Sequence, residues 1–261
     1  MININKEFVF NMILGSCLGD GGIEKACGKN LYSSISFTHN LKKELDYINF
    51  KKDLISKYYK TGILTKSDKK NTVKFRISSN EYEITNKIIE LTRKENNKRS
   101  LLKNNLNYIN EIVLLFWYLD DGSLSIIKQK RKNGNINIHR KLRIALSSFD
   151  DDEIINLTNY INEKYDLNFK TNKENNKIVS IGINNNLKEI TKFLDIILPY
   201  KEIIPECMHY KFCLCYTDTF ILKNNNYKNY NICDFYNTCI CTCRNKDMSY
   251  LLNNKRSTTS T

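Results

Sequence analysis

A chain of 261 residues is long enough for two domains of ordinary size, each with its own core. Its 41 Lys and Arg against 28 Asp and Glu leave a formal excess of +13, which points to a polyanionic partner, nucleic acid before an anionic membrane. No apolar run reaches the roughly 18–20 residues of a membrane span, and the start of the chain lacks the basic segment and cleavage site of a secretory signal; with nine cysteines, an odd number, the expected setting is an intracellular, reducing compartment.

Residues 8–20 hold an apolar run, Ile13 to Leu18, that closes on Gly19, Asp20 and Gly21; this predicts a buried helix with glycine as its stop signal. A short strand is expected near Ile23. Residues 31–40 then alternate, with Leu31, Ser33, Ile35 and Phe37 on one face and Tyr32, Ser34, Ser36 and Thr38 on the other, as in a half-exposed strand. Residues 41–59 place Leu41, Leu45, Ile48, Leu54, Ile55 and Tyr58 at helical spacing. A hairpin over 63–66 and 72–78 and a helix over 81–91, with Ile84, Ile88 and Leu91 aligned, complete the order αββαββα.

A basic stretch, 94–110, leads to a second pass through the same order. Residues 111–121 predict a buried helix, 123–128 and 141–148 strands, 150–165 a helix with acids at its N-terminus where the dipole favours them, 167–183 a hairpin and 187–198 a helix. The segment 203–219 still carries structured patterning. After Leu222 the Asn-rich and Ser/Thr-rich end predicts loose order. Cys-x-Cys-x-Cys at 239–243 lacks the CxxC or His pair of a zinc site, so it is expected to hold no metal.

The two passes form an internal repeat. Val73 to Thr85 and Val179 to Thr191 match at a constant offset of 106, and Asp20 and Asp121 at 101. The expected architecture is α+β, a pseudo-twofold pair of αββαββα units, each with a four-stranded antiparallel sheet. The expected divisions are 1–93, a linker at 94–110, 111–222, and a partly disordered tail at 223–261.

Each unit begins with an apolar run ending in Asp-Gly. The carboxylate falls where the helix dipole is already negative, so an acid placed there twice needs a reason. Gly15 and Gly19 share a helical face and allow close approach of another helix; Phe116 and Asp120, at the matching positions, are large enough to fill the gap. With the two runs packed together, Asp20 and Asp121 meet. Paired carboxylates repel, and a hard divalent cation, Mg²⁺ with Mn²⁺ able to substitute, resolves the conflict.

These residues resemble the paired signature helices of the LAGLIDADG homing endonucleases, in the single-chain, intron-encoded form, over about residues 8–222. The resemblance implies a saddle of two sheets that straddles duplex DNA, and a monomer that acts as a pseudo-dimer and cuts both strands. It implies Asp20 and Asp121 as catalytic metal ligands, with backbone carbonyls of Gly19 and Asp120 beside the metal. Ser16 and Cys17 are polar for such a helix, but small. The segment Ile204 to Lys211 is similar to the stretch that carries a catalytic-site lysine, which maps onto Lys211. Lys98 stands where the first-half lysine is expected, with Arg99 and Lys103 as competitors.

The strands supply the recognition surface. If Val73, Phe75 and Ile77 face the core, Lys74 and Arg76 face out; if Leu142, Ile144 and Leu146 face in, Lys141 and Arg143 face out. Such strands fit a ribbon in the major groove, while Lys130 and Arg131, in a basic insertion, fit phosphate contacts. His39, His139 and His209 do not cluster in sequence and mark no histidine-metal site. The expected activity is site-specific double-strand cleavage of DNA. The alternative is an RNA-binding maturase of the host intron, which has no need of both Asp residues.

Overall fold

The computed structural model describes residues 2–26, 32–94, 98–130, 136–184 and 186–212, with side chains except at 126–130, 136–139 and 187. The order is α1 (Lys6–Leu18), β1 (Gly22–Glu24), β2 (Ser34–Asn40), α2 (Leu45–Ser56), β3 (Thr65–Ser67), β4 (Thr72–Arg76) and α3 (Tyr82–Thr92). It repeats as α4 (Glu111–Asp121), β5 (Gly122–Lys130), β6 (Ile136–Ala145), α5 (Asp151–Tyr165), β7 (Lys170–Glu174), β8 (Lys177–Asn184) and α6 (Leu187–Ile197). The two antiparallel sheets share one strand order, β1-β2-β4-β3 and β5-β6-β8-β7.

α1 and α4 start alike. The Asn5 side chain accepts from the Phe8 amide at 2.9 Å, and Asn110 accepts from the Ile112 and Val113 amides at 3.1 and 3.0 Å. Both helices are apolar nearly all round, so both are buried. They pack face to face: a Cβ added at Gly15 would lie 2.5 Å from the Val113 carbonyl oxygen, and one at Gly19 2.6 Å from the Asp120 Cβ. The small residues of one helix therefore receive the large residues of the other, as their pairing in sequence implied.

The ends differ from expectation. α1 stops at Leu18, so Asp20 lies beyond it in a turn, whereas Asp121 is the last residue of α4. Gly122 caps α4 in extended backbone rather than the left-handed region; glycine is needed there because a Cβ would meet the Tyr118 ring at 2.0 Å and its carbonyl oxygen at 2.3 Å. α2 starts at Leu45 instead of 41. The Asn40 side chain accepts from the Lys42 and Lys43 amides, both at 3.0 Å, and holds that stretch as a turn. The hairpin β5–β6 is longer than expected, and Lys130 ends a strand rather than lying in a loop. A 3₁₀ turn, Lys103–Tyr108, forms inside the basic linker, and two more 3₁₀ turns carry the chain from Leu198 to Phe212.

Burial alternates along β4 and β6 as the sequence pattern required. Val73, Phe75, Leu142 and Ile144 are buried, and Lys74, Arg76, Lys141 and Arg143 face outward. No described helix is long and apolar enough to cross a membrane.

Candidate active site at the paired helix ends

The C-terminal ends of α1 and α4 come together, and acids collect there. Asp121 is pushed up to about 7, first by burial and then by the negative charges of Asp20 and Asp120. Asp20 is also raised, by burial and by Asp120, though its side chain keeps 43 % of its surface open.

The neighbouring Asp120 has a different environment. Its carboxylate is fully buried and held by Lys51 from α2, whose ammonium donates at 2.7 and 2.9 Å. The Tyr47 hydroxyl donates to the same carboxylate at 2.9 Å. Lys51 also faces His39 Nε2 at 3.1 Å. His39 Nδ1 lies 3.4 Å from Glu44 Oε2 and 3.8 Å from Asp20 Oδ2. Glu44 is held down at about 2 by its hydrogen bond with His39, which outweighs burial. Asp20, His39 and Asp120 thus bring three ligand atoms within 4.8 Å of one another. The Lys51 ammonium rests on both Asp120 oxygens, so this carboxylate already has a cation as its partner. It is not a spare metal ligand, and the main-chain carbonyl of Asp120, expected beside a metal, has the Lys211 ammonium 3.3 Å away.

Basic groups close the two helix ends. Lys211 is buried and donates to main-chain carbonyls at the end of α4: Leu119, Gly122 at 3.0 Å, Asp120 at 3.3 Å and Tyr118 at 3.4 Å. Its pKa is lowered by burial, against the raising effect of the surrounding acids. Tyr118 returns a bond to the Lys211 carbonyl at 2.7 Å. At the end of α1 the same task falls to two arginines. Arg93 donates to the Cys17 carbonyl at 3.3 Å and to Gly21 at 3.5 Å, and Arg99 to Gly21 at 3.2 Å. Cys17 and Gly21 match Tyr118 and Gly122 in the repeat. A cation on the last carbonyls offsets the negative end of each helix dipole.

Lys98, expected beside the first acid, pairs with Asp150 at the start of α5, whose other oxygen takes Lys94 at 2.5 Å. Lys94 and Lys98 together hold Asp150 down at about 2. Arg99, the competitor from the same linker, reaches the Gly21 carbonyl at the end of α1.

The outward strand residues are not bare. Glu24 pairs with Lys74 and, at 2.7 Å, with Arg76; these cations keep it below the usual carboxylate range although burial pushes it up. Glu174 accepts from Arg143 at 3.3 Å. Lys141 sits across from Asn184 on β8 and Ser125 on β5. Lys130 is placed by its backbone alone. Arg131, the tail from 223 and the cysteines at 239–243 lie outside the described residues.

Lys51 and His39 had signals in the sequence. Lys51 lies between Ile48 and Leu54–Ile55 on the apolar stripe of its helix, where a solvated lysine does not belong. His39 continues the inward series Ile35, Phe37. Glu24 and Glu174 had none, because cross-strand pairs depend on a register that only the fold sets.

Comparison with known proteins places these features in a family. The family model described as "LAGLIDADG DNA endonuclease family" matches residues 10–193. A probable intron-encoded endonuclease 1 of Wickerhamomyces canadensis is 36 % identical over 106 residues, which span 41 % of this chain and 41 % of that protein. The matched part is thus less than half of either sequence. Among solved structures, the homing endonuclease I-WcaI bound to its DNA recognition sequence aligns with a TM-score of 0.59 at 24 % identity, over 81 % of this chain and 88 % of that one. I-SmaMI bound to uncleaved DNA target in the presence of calcium ions aligns with a TM-score of 0.59 at 14 % identity, over 87 % and 95 %. At these identities the structural likeness speaks for the fold.

Proposed function

Because the chain belongs to the LAGLIDADG DNA endonuclease family, we propose that it is a site-specific DNA endonuclease that makes a double-strand break in a long asymmetric target, acting as a monomer with two unlike halves. The observation that carries this reading is the meeting of Asp20 and Asp121 at the ends of two packed helices, below two sheets with basic outer faces.

The donor set fits a hard divalent cation such as Mg²⁺. Burial and mutual repulsion leave Asp121 poorly suited to ionise alone, and a cation between the acids relieves this. Asp20 and Asp121 would hold it, with the main-chain carbonyls of Gly19 and Asp120. When bound, Mg²⁺ neutralises charge on the scissile phosphate and makes water a better nucleophile. Lys211 steadies the backbone that carries Asp121 and sets positive charge beside the phosphate; Lys98 has the corresponding role for the other strand only if it leaves Asp150, and Arg99 is already in position. On the sheets, Arg76 and Arg143 read base edges, Lys74 and Lys141 support them, and Lys130 and Arg131 grip phosphates.

The test is a randomised duplex library incubated with the protein and Mg²⁺, with capture of cut ends. One recurring sequence cut on both strands is expected. Binding without cutting, with tighter binding to structured RNA, would overturn the endonuclease reading.

A further inference from the structure

The two acidic positions are built differently. Asp121 ends α4 and is fixed by its helix, whereas Asp20 lies two residues past the end of α1, in a turn, and is half open to solvent. Beside Asp20 a buried polar chain crosses from one half to the other. Asp120 of the second half binds Lys51 of the first; Lys51 meets His39; His39 faces Asp20 and Glu44. The Lys51 and Asp120 side chains are fully buried and that of His39 is 1 % exposed. Lys51 can only donate, so His39 Nε2 accepts and the ring proton sits on Nδ1, on the side of the two carboxylates.

The second half shows what the fold alone requires at these positions. His39 pairs with Val73; the repeat partner of Val73 is Val179, and its carbonyl bonds the Leu146 amide, so Leu146 stands for His39. Lys51 is seven residues past the cap Glu44, and Leu157 is seven past the cap Asp150. Gly19 stands for Asp120, one residue before the Asp-Gly pair. Leu146, Leu157 and Gly19 therefore occupy around one helix end the places that His39, Lys51 and Asp120 occupy around the other. Both Leu146 and Leu157 are buried. A buried ion pair is rarely more stable than well-packed apolar residues, because desolvation cancels most of the attraction. Stability does not account for the polar set, and its position beside Asp20 does.

We infer that Lys51 is a positioning residue: with Asp120 and His39 it forms a brace across the two halves that orients Asp20, so that the two strands of the DNA are cut at centres with unequal dependence on this brace. The inference rests on the endonuclease reading above. It predicts that loss of the brace slows one strand more than the other, the same strand in every variant.

The experiment measures single-turnover cleavage of each strand separately, on a supercoiled plasmid with one cognate site, for the full chain in Mg²⁺. The main variant is Lys51→Met with Asp120→Asn, which removes both charges together and keeps the shape, and leaves the Tyr47 hydroxyl an acceptor. His39→Leu is the second variant; it installs the residue of the other half and leaves the Lys51–Asp120 pair intact, so the test survives if the first fails to fold. Expected is a shift of about 10-fold or more in the ratio of the two strand rates, with nicked circles accumulating and binding in Ca²⁺ unchanged within about threefold. An unchanged ratio, whether both strands slow alike or neither slows, overturns the brace. Wild-type protein that cuts neither strand overturns the endonuclease reading itself, and the two failures are thereby distinct.

Discussion

Gly15→Ala tests the helix interface that brings the acids together, because two effects of known size oppose each other. In an isolated helix, alanine is favoured over glycine by about 1 kcal/mol. Here the added Cβ would stand 2.5 Å from the Val113 carbonyl oxygen and 3.1 Å from the Phe116 Cβ. Ordinary contact needs nearly an ångström more, and the first obstacle is backbone, which cannot rotate away. Overpacking of this kind costs about 1–3 kcal/mol, and a rigid neighbour puts it toward the upper end. The net effect is a loss of about 1–2 kcal/mol. At about 2–4 °C per kcal/mol for a chain of this size, thermal melting should fall by several degrees. Cleavage should fall further than stability does, since α1 and α4 must separate and carry Asp20 away from Asp121, while binding in Ca²⁺ holds. A melting temperature that rises would mean that helix propensity wins, and that α1 and α4 are not in the contact described.

Lys211→Met should slow single-turnover cleavage by about 10²-fold with folding intact, the scale for loss of one charge-stabilising group; an unchanged rate would leave Lys211 with only its carbonyl bonds. Arg76→Ala and Arg143→Ala should each cost about 1–3 kcal/mol on the cognate site and relax preference at one base pair, whereas Lys130→Ala should weaken all sequences alike and flatten the salt slope by about one unit. Binding to single-base target variants at two salt concentrations separates these; equal weakening everywhere by the arginine variants would put the sheet faces in error. The pH dependence has two signs. Glu44 is held at about 2, below its ordinary 4.5, so its contribution is present above 4.5 and is lost as pH falls toward 2. Asp121 is raised from 3.8 to about 7, so without metal it costs stability increasingly as pH rises across that window. Denaturation midpoints against pH, without divalent ions, should be flatter at low pH for Glu44→Gln and higher near neutrality for Asp121→Asn; parallel curves would contradict both assignments.

What the sequence made legible was whatever periodicity and repetition encode. The buried runs, the alternation of Val73, Phe75 and Ile77, and the matching of small to large residues between α1 and α4 are local patterns read twice over, and the fold follows them. Less was visible where one side chain answers another far away in the chain. Lys51 reaches Asp120 across 69 positions, and Arg93 reaches Cys17 across 76. A basic chain offers many candidates for each such contact, so Lys98 and Arg99, adjacent in sequence, could not be told apart until the fold sent one to Asp150 and the other to the Gly21 carbonyl. The end of α1 is hidden in the sequence for a similar reason: the apolar run marks where a helix is buried, while the turn at Gly19 and Asp20 packs on Asp120.

The most direct test of the central claim replaces each acid at the helix ends without changing its shape. Asp20→Asn and Asp121→Asn, with wild-type protein prepared alongside, are assayed on the same cognate duplex for binding in Ca²⁺ and for cleavage in Mg²⁺. Both variants should bind within about a few-fold of wild type, because affinity comes mainly from phosphate contacts, and both should lose most double-strand cleavage. Full cleavage by either one would contradict the assignment of the paired carboxylates as the catalytic centre.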